Sequence, residues 1–264
     1  ASYFAPVHLV GVVGEDFPAA ERDFLAGRGI DLTGLEVRPG RTFRWTGRYH
    51  EDMNVRDTLD LQLNVFADFQ PQLGAVARAA PYVFLANIDP RLQEGVLAQF
   101  AHPALVACDT MNHWIESARA PLEALLPKVD LLVLNDEEAR LLSGERNVAR
   151  AARRLLALGP KSVLVKRGEY GAILFSPESV FAVPAYPLES VFDPTGAGDS
   201  FARGVMGYLA ATGERGGAAL RRAIVYGTVL ASFMVEDFGS RRFHTLSRDD
   251  VERRYRQFVA LTEF

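Results

Sequence analysis

Short apolar runs recur along the chain, each closed by polar or turn residues. They fall at residues 8–13 (HLVGVV), 82–86 (YVFLA), 104–108 (ALVAC), 131–134 (LLVL) and 162–166 (SVLVK). Amphipathic stretches at 18–28, 91–100, 117–126 and 147–158 have helical character. Strands spaced by helices need crossover connections, so the pattern predicts an α/β fold with a mostly parallel sheet. Strands covered on both faces are apolar throughout instead of alternating.

Two regions break this rhythm. Residues 41–50 and 56–65 form an antiparallel pair by pattern, and Leu59, Leu61, Leu63 and Val65 fall on one face of the second. No helix separates them, which predicts a small β-flap outside the main sheet. Residues 170–184 predict a hairpin turning at 176–179. A strand-like stretch at 188–192 follows, and then helices at 198–211, 217–235 and 247–261. No repeat or low-complexity linker divides the chain. The expectation is one domain over 1–264 with a lid insertion at about 34–66.

Composition narrows the classes. The 264 residues are 48% hydrophobic, enough for a full core, and carry a net charge of −4. That balance argues against nucleic acid or an anionic membrane as partner. The single cysteine, Cys108, excludes an intramolecular disulfide and a multi-cysteine zinc site, and it reads as a small buried apolar residue. No apolar run approaches the ~20 residues of a membrane span. The single-cysteine usage fits a cytosolic compartment, so the expected location is cytoplasmic. The chain opens abruptly at Ala1, ahead of an apolar strand, and is read as incomplete at its front.

The chemistry is concentrated at residues 193–201 (DPTGAGDSF). A Gly196-Ala197-Gly198 turn before an apolar helix leaves backbone N–H groups facing outward at a positive helix end. Together they make an anion cradle suited to phosphate. Asp199, beside it, suits proton removal from a hydroxyl during phosphoryl transfer. The competing reading of Asp199 is a helix N-cap. Two carboxylates, a threonine and two glycines within so short a segment favour chemistry. Asp193 either binds a cation or holds the turn through Thr195. The chain has no G-x-x-x-x-G-K-[ST] loop and no G-x-G-x-x-G after its first strand, which counts against a P-loop and a dinucleotide enzyme.

The 193–201 segment resembles the C-terminal signature of the PfkB family, the ribokinase-like carbohydrate and nucleoside kinases. Residues 135–138 (NDEE) resemble its N-x-x-E motif. Residues 166–171 (KRGEYG) resemble its nucleotide-binding strand and glycine turn, and the flap is similar to its lid. The resemblance runs from about residue 7 to 264. It implies a three-layer α/β/α fold with a mostly parallel central sheet and a small antiparallel lid. It implies ATP and Mg²⁺, with Asp199 as general base and Gly196, Ala197 and Gly198 as anion hole. Asn135 and Glu138 would hold Mg²⁺ and phosphates, mostly through water. Lys166, Gly168 and Gly171 would line the ATP site, and Gly227 with Thr228 would close its base pocket. Asp193 and Thr195 match a monovalent-cation site known in part of the family, but residues 235–240 depart from its pattern, leaving K⁺ dependence open. The family's first strand, with a substrate-binding Asp and a Gly-Gly signature, has no counterpart here.

Polar residues past strand ends are where open α/β sheets bind ligands. Asn87, Asp109 and Asn112 fit that placement, with turn-making as the alternative. Phe43, Arg44 and Trp45 in the flap are placed to cover the substrate, with lid packing or a dimer contact as the alternative for Phe43 and Trp45, and a homodimer through the lid is compatible with the resemblance. His8 reads as a core residue, and Arg241-Arg242 as a solvated turn. The expected activity is phosphoryl transfer from ATP to a sugar or nucleoside hydroxyl. The competing class is a non-catalytic nucleotide or sugar sensor on the same scaffold.

Overall fold

The computed structural model describes residues 1–51, 53 and 56–263. Asp52, Asn54 and Val55 in the expected lid, and Phe264 at the end of the family resemblance, lie outside the described residues. Strands β1 (Val7–Gly14) and β2 (Ile30–Arg38) pair in parallel around α1 (Ala19–Gly27). Strands β3 (Arg44–Tyr49) and β4 (Arg56–Gln62) form the antiparallel flap. A six-stranded sheet holds β5 (Tyr82–Leu85), β6 (Leu105–Asp109), β7 (Leu131–Asn135), β8 (Ser162–Lys166), β9 (Ala172–Phe175) and β10 (Val180–Val183) in the order β10-β9-β8-β7-β6-β5. The pairs from β5 to β8 are parallel, and the β9–β10 hairpin adds antiparallel strands at one edge. The helices are α2 (Ala75–Arg78), α3 (Pro90–Leu97), α4 (Asn112–Ser117), α5 (Arg119–Leu125), α6 (Asp136–Ser143), α7 (Val148–Leu156), α8 (Ala197–Thr212), α9 (Gly217–Met234), α10 (Arg241–Thr245) and α11 (Arg248–Thr262).

Strand β7 explains why the central runs are apolar throughout. Leu131 and Val133 pack with Phe201, Val205 and Leu209 of α8 and with Ile224 and Leu230 of α9. Leu132 and Leu134 face the other way, into a core with Leu122, Leu142 and Leu155. Alternate side chains leave opposite faces of a strand, so a strand between two helical layers needs apolar residues at every position. Truncating a side chain such as Leu132 to Ala would cost about 2–5 kcal/mol.

Several expectations change. Strand β2 was not foreseen: its polar interruptions and internal Gly34 hide it. That glycine is required there, since a Cβ would lie 2.8 Å from the Leu9 carbonyl oxygen. Because β2 runs to Arg38, the separate antiparallel unit begins after it and not near residue 34. Residues 188–192 are not a strand. Phe192 donates its amide to the Val235 carbonyl and is 71% exposed. Strand β4 stops at Gln62, so Leu63 and Val65 do not extend its alternation, and a bulge between Thr46 and Gly47 exposes Leu59. Arg242 is not merely solvated: it pairs with Glu236 at 3.0 Å and lies over the Phe233 ring. His8 sits at the core's margin, 2.9 Å from Asp31. No helix among the described residues is long and apolar enough to cross a membrane.

Candidate active site

The turn before α8 is held by Asp193. Its carboxylate accepts from the Thr195 amide at 2.9 Å and from the Gly239 amide at 3.2 Å, and the residue is buried. Gly196 takes φ of 81°, a region that disfavours side chains. The Ala197 amide closes the turn on the Pro194 carbonyl at 3.1 Å, and the Ser200 amide bonds Gly196. Ala197 is therefore not a free member of the expected anion hole. The amides left without an acceptor among the described residues are those of Gly196, Gly198 and Asp199. They stand at the positive end of a long helix, where an anion is favoured.

The Asp199 carboxylate opens to solvent with 44% of its side chain exposed, and Arg203 lies 3.1 Å away one turn along α8. Asp199 makes no side-chain cap, so the N-cap alternative fails.

Lys166, the last residue of β8, points at this helix start. A Cβ on Gly198 would lie 3.3 Å from its ammonium. The same Nζ is 3.3 Å from both oxygens of Asp109, the last residue of β6, and both side chains are largely buried. Burial alone would pull the ammonium's pKa down, but the carboxylates of Asp109, Glu138 and Asp199 outweigh it and raise the value. The direction favours the charged ammonium.

Asn135 and Glu138 form a capping box at α6. The Glu138 amide donates to Asn135 Oδ1 at 2.8 Å, and the Asn135 amide donates to Glu138 Oε2 at 2.7 Å. The motif thus serves the helix start directly. No cluster of three or more metal-binding side chains exists among the described residues.

A cavity of about 680 Å³ lies beside the turn, lined by Lys166, Gly168, Gly171, Gly198, Thr228 and Ser232 among others. Gly171 has φ of 83°, and a Cβ there would fall 2.0 Å from the Val183 carbonyl oxygen. Gly227 does not line this cavity. It is buried where α9 crosses α8, with a Cβ position 2.7 Å from the Phe201 carbonyl oxygen. Its neighbour Thr228 faces the cavity instead, because successive helix residues point about 100° apart.

The flap reaches the same place. Thr195 Oγ1 donates to the Tyr49 hydroxyl at 3.1 Å, and Glu51 and Met53 join the cavity lining. None of these three flap residues was foreseen; no local motif marks a contact between residues so distant in the chain. Trp45 does not reach out: it bonds Thr58 at 3.1 Å and its ring lies over Gly47. Phe43 packs edge-on against Phe66. Arg44 is exposed at the start of β3.

Asn87 is exposed just past β5, next to the β6 end that carries Asp109. Gln93, fully buried on α3, ties these ends together: its Nε2 donates to the carbonyls of Ala86 and Asp109, both at 2.9 Å. Asn112 begins α4 beyond them. Cys108 is buried, with burial and the Asp109 charge pushing its thiol far up, so it is no nucleophile.

Comparison with known proteins gives a consistent picture. The pfkB family carbohydrate kinase profile matches residues 1–245. A cytidine kinase of Thermococcus kodakarensis is 28% identical over 211 residues, 76% of this chain and 73% of that protein. A nucleoside kinase of Methanothermobacter thermautotrophicus is 30% identical over 242 residues, covering 88% and 74%. Among solved structures, an E. coli protein of ribokinase II type, in complex with ATP and Mg²⁺, superposes with a TM-score of 0.77 at 24% identity, covering 97% of this chain and 84% of that one. It shares the fold.

Proposed function

The chain belongs to the pfkB family of carbohydrate kinases, and on that premise we propose that it transfers the γ-phosphate of ATP to a hydroxyl of a sugar or nucleoside, with Asp199 as general base. The whole chain acts as one catalytic unit, with β3 and β4 as its lid. The observation that carries this reading is the open Asp199 carboxylate beside three amides unbonded among the described residues, with the Lys166 ammonium next to Gly198. Asp199 takes the acceptor's proton as its oxygen bonds to the γ-phosphorus and the bond to ADP breaks. The amides of Gly196, Gly198 and Asp199 receive the phosphoryl oxygens. Gly168 and Gly171 line the nucleotide side of the cavity.

Mg²⁺ supplies charge neutralisation when bound. Asn135 and Glu138 fit it only through its water shell, since each already bonds the other's backbone, and Mg²⁺ keeps several waters readily. Asp193 is assigned to the turn, with both oxygens engaged by amides, and K⁺ has no part in the proposal. Asn87 and Arg44 lie on the acceptor side. Two relatives carry the names cytidine kinase and nucleoside kinase, so nucleosides head the acceptor panel.

The test is acceptor-stimulated ADP release over nucleosides and sugars, in wild type and Asp199→Asn. Loss of the base should lower kcat by about 10²–10⁴ while nucleotide binding persists. An unchanged kcat in the variant overturns the assignment. ATP binding with no acceptor-stimulated turnover in wild type would replace it with a sensor.

A further inference from the structure

The Lys166–Asp109 pair is poorly explained as a structural ion pair. Two charges taken from water cost several kcal/mol each, and a buried pair often does no better than packed apolar residues. Both nevertheless sit at the C-terminal ends of parallel strands, where open α/β sheets bind ligands. Lys166 is on β8 and Asp109 on β6, so their side chains meet across the end of the intervening β7. The ammonium thereby stands beside Gly198, whose amide is free. Its 3.3 Å contacts with the two Asp109 oxygens are long for a charge-assisted bond. Next to Asp109, the Thr110 hydroxyl is buried with no partner among the described residues, a state that costs about 1–3 kcal/mol and that a ligand oxygen would relieve.

Resting on the kinase reading, we propose that Lys166 is a catalytic residue whose ammonium contacts the transferred phosphoryl group, and that Asp109 is a positioning residue that holds it there, not an acceptor ligand. The amide cradle is neutral and carries only partial charges. Lys166 adds a full positive charge where negative charge passes from donor to acceptor. Asp109 keeps that charge over the end of β7, beside Gly198.

The experiment compares Lys166→Gln, Asp109→Asn and the double variant. It measures kcat, acceptor KM and calorimetric affinities for ATP and AMP. Lys166→Gln should lower kcat by roughly 10²–10³, as for other lost oxyanion donors. It should weaken ATP binding at least about fivefold while AMP stays within about twofold, because only ATP presents the phosphates in question. Asp109→Asn should lower kcat with acceptor KM within about threefold. Equal loss of ATP and AMP affinity, or an unaltered kcat, overturns the role of Lys166. An acceptor KM raised more than about tenfold at constant kcat overturns the role of Asp109. If a single variant fails to fold because it strands a buried charge, the double variant removes both charges and reports the same ATP-to-AMP contrast. That contrast needs no turnover, so it is read even if wild type phosphorylates no acceptor and the kinase reading fails.

Discussion

The hydroxyl of Tyr49, at the tip of the flap, lies 3.1 Å from Thr195 Oγ1, in the turn that opens α8. A strand outside the main sheet is thus hydrogen-bonded to the segment that carries the free amides. Asp193 fixes the same turn from the other side. The flap and the turn that opens α8 are linked directly.

Removing that joint should affect function more than stability. Tyr49→Phe deletes one exposed hydrogen bond, worth about 0.5–1.5 kcal/mol. KM for the acceptor or ATP should rise about threefold to tenfold, and ATP hydrolysis without acceptor should rise because closure excludes water. Steady-state kinetics with and without acceptor measure both. Identical kinetics in the variant would mean that the contact is incidental.

Gly171→Ala should be damaging at a position with no catalytic group. The new Cβ would approach the Val183 carbonyl oxygen at 2.0 Å, and φ of 83° adds backbone strain of about 1–3 kcal/mol. The β9–β10 hairpin must shift, and the cavity wall with it. Thermal denaturation should show a lowered Tm, and nucleotide affinity should fall alongside it.

Gln93→Leu tests the rim on the acceptor side. Its amide bonds to Ala86 and Asp109 hold the ends of β5 and β6 in register. Stranding the buried Asp109 carbonyl and the half-buried Ala86 carbonyl should cost about 1–3 kcal/mol, read by denaturant titration. Weaker acceptor binding should accompany it, with ATP binding kept.

Acid stability should depend on Asp31. Bonds from Thr33, then from His8, lower its carboxyl from 3.8 to about 2 in the fold. A depressed carboxyl contributes stability that is complete above the unfolded pKa and is lost as pH falls through the folded one. Stability should therefore drop between about pH 4 and 2, and Asp31→Asn should flatten that limb. A pH series of denaturation midpoints checks this.

Much of the fold was legible because its signals are local. The runs that became β5 to β8 are apolar on both faces, and only a doubly covered parallel sheet demands that. The 193–201 motif placed Asp199 and the free amides of Gly196 and Gly198 for a similar reason: glycine freedom, a helix start and a carboxylate are contiguous in the chain. Strand β2 stayed hidden because its alternation is broken by Gly34, needed for a backbone approach visible only in three dimensions. Ala197 and Gly227 were misplaced for another reason. Whether an amide is spent on a turn, or a helix face meets a cavity or another helix, depends on dihedrals and packing that residue types leave open.

Taken by itself, the sequence determined the α/β class, the order of most elements, the family and the place of the glycine turn at the start of α8. All of these follow from periodicity and short-range chemistry. The tertiary structure alone decided that Lys166 meets Asp109 across β7, that Tyr49 reaches Thr195, and that Gln93 joins two strand ends. Those contacts join residues far apart in the chain, and their geometry is set by how the layers pack, which no local pattern encodes.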